Sequence, residues 1–271
     1  MCPNIYIYIY IYICKESLGL YVSNEQHRYT FKMRIAIQIS GEFRMLHMSY
    51  PTFIQNLIHP QKEQGHTIYI CIHSWFRTES GPGTFYFPER GNWHNTMVVY
   101  THNDGIQAYS PKGYMIEIYD EKKELHTKPR LHSMFYGIWA ANEIRKQYEQ
   151  SQNSTYDMVM RYRTDCILDE PMAHMFSPNT FILPRSSSIT TYDGAEEASN
   201  SQQYCDWLAW GPREMMDIYC DTYLHLDHLT KTESVPEKIL YTALSTVSVL
   251  RPFFAFYLVE GNGQIRGNRR D

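Results

Sequence analysis

The chain lacks most of the signals that assign a function at sight. There is no GxxxxGK[ST], so a P-loop kinase or sulfotransferase has no support. No GxSxG provides a hydrolase elbow. Gly261-Asn-Gly263 lies too near the end of the chain to open a cofactor-binding helix. The glycine-rich first turn of a methyltransferase or dinucleotide fold is also missing. Basic charge is not in excess: Lys and Arg number 25 against 29 Asp and Glu, a formal charge of −4. That excludes a nucleic-acid binder working by charge alone. The six cysteines (Cys2, Cys14, Cys71, Cys166, Cys205, Cys220) form no CxxC pair. They read as reduced thiols of a cytoplasmic protein, because no export signal precedes them. Cys220, His225 and His228 fall close together, but their spacing matches no common zinc site.

Residues 5–13 alternate Ile and Tyr without interruption. Both residues favour strands, yet the run is too short and too polar for a membrane span. A perfect Ile-Tyr repeat is also what an AT dinucleotide repeat encodes through ATA and TAT. Residues 1–32 are therefore expected to be a non-domain extension, a translation artefact. Met33-Arg-Ile-Ala-Ile-Gln-Ile-Ser40 then reads as a start that enters directly into a buried strand. A single domain over 33–260 and a frayed basic tail over 261–271 complete the expected organisation.

From Met33 onward the pattern alternates strands and helices. Strands are expected at 35–40, 67–74, 96–100, 113–119, 156–161, 180–183 and 204–210, with 246–259 closing the sheet. Helices are expected at 45–58, 129–150, 211–226 and 235–244. The clearest is 129–150, where Leu131, Phe135, Ile138, Asn142 and Ile144 recur near the helical period. Residues 76–95 read as a long loop. Strands separated by helices predict an α/β domain, Rossmann-like, with a mostly parallel central sheet flanked by helices.

The most informative segment is Tyr156-Asp-Met-Val-Met-Arg-Tyr-Arg-Thr-Asp165. An apolar strand ends in Arg161 and Arg163, which alternation places on one face, and Asp165 continues the series. Two cations and a carboxylate at the carboxyl end of a strand suit a diphosphate, with or without a divalent metal. An ion-paired surface strand end has the same residues. Gly41 lets a backbone approach a ligand or makes a turn. Arg44 meets phosphates or pairs with Glu42. His73 and Trp75 end the second strand, and Trp75 stacks on a base or sugar or belongs to the core.

In order along the chain, several segments resemble a family of glycosyltransferases of viruses, algae and bacteria. They are Gly41-Glu-Phe-Arg44, His73-Ser-Trp75, Ser133-Met-Phe-Tyr-Gly137 with Asn142, and Arg161-x-Arg163-x-Asp165. Asp206-Trp-Leu-Ala-Trp-Gly211 and Pro236-Glu-Lys-Ile-Leu240 complete the set. The resemblance covers residues 33–260. It implies the GT-A fold, a nucleotide-sugar donor, a glycan or other hydroxyl acceptor, and a divalent metal, Mn2+ or Mg2+. Donor binding then falls to Gly41, Arg44, His73, Trp75, Arg161, Arg163 and Asp165, with Asp165 also the metal ligand. Glu237 becomes the first candidate for catalytic base and Asp206 a second catalytic residue. The family's Asp-x-Asp is incomplete here, because position 163 is Arg. A non-catalytic nucleotide- or sugar-binding protein of the same fold is the alternative. Neither reading involves nucleic acid or a membrane span.

Overall fold

In the computed structural model, residues 32–76, 83–86, 96–118, 130–173, 179–184, 204–251, 256–259 and 265–267 are described. Apolar alternation builds the sheet. In β1 (Arg34–Ser40), Ile35, Ile37 and Ile39 face one side, while Ala36, Gln38 and Ser40 face the other. β1 is flanked by β2 (Thr67–Phe76) and β6 (Met158–Arg163), both parallel to it. β5 (Gly113–Ile118) adds in parallel outside β2, and β8 (Leu208–Pro212) adds antiparallel outside β6. The order is β5-β2-β1-β6-β8. The fold is α/β with a mostly parallel, Rossmann-like central sheet.

Helices cover both faces. On the isoleucine face lies a helical run made of α1 (Leu46–Phe53), a π-helical turn (Ile54–Ile58) and α2 (His59–Glu63). Phe53 and Leu57 pack there against Ile37, Met160 and Tyr162. Pro60 has no N–H, so the carbonyl of Asn56 is left without a helical partner. That carbonyl accepts from Met172 N–H at 2.8 Å. Asn56 Nδ2 donates to Leu168 O (2.6 Å) and Gln61 Nε2 to Met172 O (2.7 Å). These bonds pin β7 (Cys166–Leu168) and the segment after it.

On the opposite face lies α4 (Arg130–Ser151), with α5 (Arg213–Cys220) and α7 (Pro236–Ala243). Phe135 and Ile138 pack there against Ala36 and Val159. Arg145 of α4 is fully buried and binds Asn142, Glu149 and Asp217. Asn142 in turn accepts from Gln38 Nε2 at 2.5 Å, which ties α4 to β1.

Four expectations need correction. Residues 246–259 do not close the main sheet. Phe256–Val259 is β9 of a separate antiparallel sheet, β10-β9-β7, whose β10 (Ile265–Gly267) falls in the expected tail. Residues 180–183 contribute only bridges from Ile182 to Trp210 and Leu250. Residues 204–207 precede β8 rather than extending it. The helix expected over 211–226 breaks after Cys220 into a 3-10 turn (Asp221–His225) and then α6 (Leu226–Leu229). Alternation alone could not show that β3 (Gly83–Tyr86) lies inside the expected loop and pairs with β4 (Thr96–Val99). It also passed over α3 (His102–Tyr109), which Thr101 and Asp104 start as a capping box.

The described residues belong to one compact unit beginning at Lys32. Except for Lys32, the expected extension over residues 1–32 lies outside the described residues. Among the described residues, no helix is long and apolar enough to cross a membrane. Cys71, Cys166, Cys205 and Cys220 are buried free thiols.

Candidate functional site

β1 has its successor β2 on one side and β6 on the other, so the chain connections diverge at its carboxyl end. In open α/β sheets such a divergence leaves a crevice. Ser40 pairs with His73 and with Arg163, which sets the three in a row across that edge. Because β8 runs antiparallel, its beginning reaches the same edge as the end of β6. Tyr162 faces Leu208, so Asp206, two residues earlier, lies beside the turn that follows β6.

A compact charge cluster occupies this end. Thr164 and Asp165 form the turn between β6 and β7. Arg163 Nε lies 2.8 Å from Asp165 Oδ1, and its Nη2 donates to Oδ2 at 3.1 Å. Arg44 holds Glu42 Oε2 through Nε (3.0 Å) and Nη2 (2.9 Å) and stands 3.9 Å from Asp165 Oδ2. Arg163 Nη1 is 4.0 Å from Asp206 Oδ2. Thr164 Oγ1 donates to the carbonyl of Glu42 at 2.5 Å and locks the β1 loop onto the turn.

The carboxylates lie underneath and the guanidiniums reach outward. Asp165 and Asp206 are 2% and 4% exposed, whereas the side chains of Arg163 and Arg44 are 24% and 19% exposed. Arg161 is sealed and donates to the main-chain carbonyls of Tyr162 and Ser40. Burial pushes the Asp206 carboxyl up from its ordinary range, against the pull of Arg163 and Arg161. Burial and then repulsion from Arg163 pull Arg161 down, against Tyr219 and Asp206. For Arg163, Asp165 and Asp206 outweigh burial and the group is held up. Among the described residues, Arg161 Nε, Asp165 Oδ1 and Asp206 Oδ1 are buried atoms that make no hydrogen bond. Asp165 Oδ1 is ion-paired with Arg163 but off the line of its N–H.

A second cluster stands on the other side of β1. Its strand, β2, is roughly 10 Å from β6, two strand spacings. His73 is fully buried with Nε2 2.8 Å from Glu117 Oε2. Its ring meets Trp75 at 4.9 Å and Tyr136 at 5.4 Å, both edge-on. Trp139 and Tyr223 extend the aromatic group from Tyr136, at 5.7 and 5.4 Å. Burial, with Glu117 beside its hydroxyl, pushes the Tyr136 phenol up. Gly137 lets α4 approach this closely, since a Cβ there would stand 3.2 Å from His73 Nδ1. Gly41, at φ 116°, turns the chain off β1 while its N–H donates to His73 O at 3.2 Å.

The structure thus brings Arg44, Arg161, Arg163, Asp165 and Asp206 together, with Gly41 and His73 on the same edge and Trp75 beyond. Glu237 begins α7, and its carbonyl accepts from Tyr204 N–H at 3.0 Å. That bond ties the start of α7 to the segment two residues before Asp206. Burial, and then the charge of Asp206, pushes the Cys205 thiol up to about 12. Two readings narrow. Arg161 is closed off by its main-chain bonds, leaving Arg163 and Arg44 to face an anion. Asp165 sits in a turn rather than on the strand. Sequence reasoning missed Thr164, Glu117 and Tyr136 and saw Glu42 only as a partner for Arg44, which it is. Nothing in the spacing distinguishes Glu117 from any other strand carboxylate.

The residues present do not fit a divalent metal. Both Asp165 oxygens are held by Arg163, with Arg44 close by, and a dication there would oppose two guanidiniums. Among the described residues, no group of three His, Cys, Asp or Glu is arranged to hold a metal ion.

No family model matches the chain, and no curated protein matches it in sequence. Among solved structures it is similar to a glycosyltransferase involved in the glycosylation of the major capsid of PBCV-1. That similarity has a TM-score of 0.40 at 8% identity and covers 81% of this chain and 82% of the other.

Proposed function

We propose that the protein is a nucleotide-sugar-dependent glycosyltransferase of GT-A type, moving a sugar to a glycan or other hydroxyl acceptor. The observation that carries this reading is the layered cluster at the β1–β6 edge: Arg44 and Arg163 outermost, Asp165 and Asp206 beneath. The ordered segments that resemble those of a glycosyltransferase family support it. Departure of a nucleoside diphosphate builds negative charge, and fixed guanidiniums stabilise it without reorganising. The roughly 10 Å between β2 and β6 suits a nucleoside lying over Gly41, His73 and Trp75 with its diphosphate on Arg163 and Arg44. Arg161 acts from beneath, as a buried cation that orients the edge.

The acceptor hydroxyl needs a proton acceptor. Asp206 is part of the cluster, and Glu237 starts the helix whose first turn is bonded to Tyr204, two residues before Asp206. The raised pKa of Asp206 supports it as base, while Glu237 remains the choice the family resemblance favours. Release of nucleoside diphosphate from a panel of UDP- and GDP-sugars tests the reaction. Glu237→Gln and Asp206→Asn should then divide the labour. The true base should lose about 100-fold to 10,000-fold in turnover with donor binding retained. Asp165→Asn should weaken donor binding as well, because Arg163 loses its anchor. Normal turnover in both base variants would remove the proposed chemistry. The engagement of Asp165 by Arg163 favours one second reading, a non-catalytic nucleotide-sugar binder. Tight donor binding with no product from any panel sugar would establish it.

A further inference from the structure

A cavity of about 470 Å3 opens between α5, the 3-10 turn, α6 and α7, lined by Ile218, Asp221, Thr222, His225, His228, Leu229 and Ala243. That volume falls within the range of small-ligand sites, about 300–1,000 Å3. Thr222 is 1% exposed, and among the described residues its Oγ1 has no hydrogen-bond partner. A buried hydroxyl without a partner is destabilising unless something fills the role. Beside it, Asp221 Oδ1 lies 3.6 Å from Lys146 Nζ, an ion pair beyond hydrogen-bond length. Burial pushes this carboxyl up, against Lys146. His225 and His228 stand exposed at the mouth.

The lining selects among ligand classes. Among the described residues no Lys or Arg lines the cavity, so nothing in it attracts a phosphate or acidic sugar. Lys146 beside Asp221 weakens the attraction for a cation. The remaining match is a neutral molecule with one apolar face and several hydroxyls. Ile218, Leu229 and Ala243 would meet the C–H face, and Thr222, Asp221 and the two imidazoles the hydroxyls.

We propose that this cavity is a second saccharide-binding site, taking a neutral glycan at a place separate from the charge cluster. It does not depend on the transferase reading. The test uses the full chain on an array of neutral and anionic glycans, followed by calorimetry with the strongest neutral oligosaccharide. Neutral glycans should be retained. Thr222→Val should weaken binding about tenfold, the loss of one hydrogen bond. Ala243→Phe, which fills the cavity from its half-exposed rim, should abolish it. Both variants should keep the parent's Tm and far-UV circular dichroism, which reports that the fold is intact. Retention of no neutral glycan at millimolar concentration, retention of anionic glycans alone, or undiminished binding by either variant would overturn the proposal.

Discussion

Replacing Asp206 by Asn should tighten nucleoside diphosphate binding, and only at high pH. The cluster holds three guanidiniums (Arg44, Arg161, Arg163) and three carboxyl groups (Glu42, Asp165, Asp206), so its charge is zero when all are ionised. Asp206 stands 4.0 Å from the inner side of Arg163. An ion pair on the outer side adds about 4 Å, which puts a phosphate roughly 8 Å from this carboxylate. At an effective dielectric near 20 the repulsion is about 2 kcal/mol per unit charge, or about thirtyfold in affinity. Burial raises the folded-state pKa of Asp206, so the parent carries a proton there at low pH and loses it as pH rises through that value. Parent affinity for UDP should fall across this window, while Asp206→Asn stays flat apart from the titration of UDP itself, which both proteins share. Stability has the same sign. A raised folded pKa means stability is lost as pH climbs from the unfolded value near 3.9 to the folded one, by about 1.4 kcal/mol per unit. The Asn variant lacks that loss, so its advantage should grow with pH and vanish below about pH 3.9. Calorimetric titration with UDP and GDP between pH 5 and 8.5, with urea unfolding over the same range and down to pH 3.5, measures both. Parallel affinity curves for the two proteins, or a parent that gains on the variant at high pH, would show that the arginines hold Asp206 ionised and would refute the reasoning.

Two further outcomes test the scaffold. Arg145→Met leaves the nearly buried Glu149 and the partly exposed Asp217 without their buried cation, and should cost about 3 kcal/mol, the low end for a broken buried pair. Scanning calorimetry should show Tm lower by roughly 10 °C, and an unchanged Tm would mean that the network contributes only geometry. A chain starting at Lys32 should keep its Tm, because the compact unit begins there and Met33 is already tied down through its N–H to His66 Nδ1 at 3.1 Å. A fall of several degrees would make residues 1–31 part of the fold.

The middle of the sheet was readable in the sequence because β1 and β6 are buried on both faces and apolar through most of their length, as in Ile35–Ile39. α4 was readable because Phe135, Ile138 and Asn142 keep helical spacing. The direction of β8 was not. Nothing local in Leu-Ala-Trp-Gly-Pro distinguishes an antiparallel strand from a parallel one; the decision lies in its pairing with β6. The charge cluster was half legible. Arg163 and Asp165 stood out as charges where an apolar strand ends, but two-residue alternation made Arg161 look as available as Arg163. Only the main-chain carbonyls that Arg161 binds, set by the neighbouring strands, show that it is closed off. Tyr136 and Glu117 were hidden for a similar reason, since their meeting at His73 joins segments far apart in the chain.

The reversed direction of β8 also bears on how this protein folds. Arg44, Arg163 and Asp206 come from segments separated by more than a hundred residues and by some forty more, and Asp206 reaches the edge only when β8 docks. Long closures of this kind form late, because their entropy is lost before their contacts are gained. Intermediates with β1, β2 and β6 already paired would have the arginines and Asp165 but not Asp206. Diphosphate binding should therefore appear in refolding before β8 docks, and should weaken at neutral pH as β8 brings the Asp206 carboxylate in.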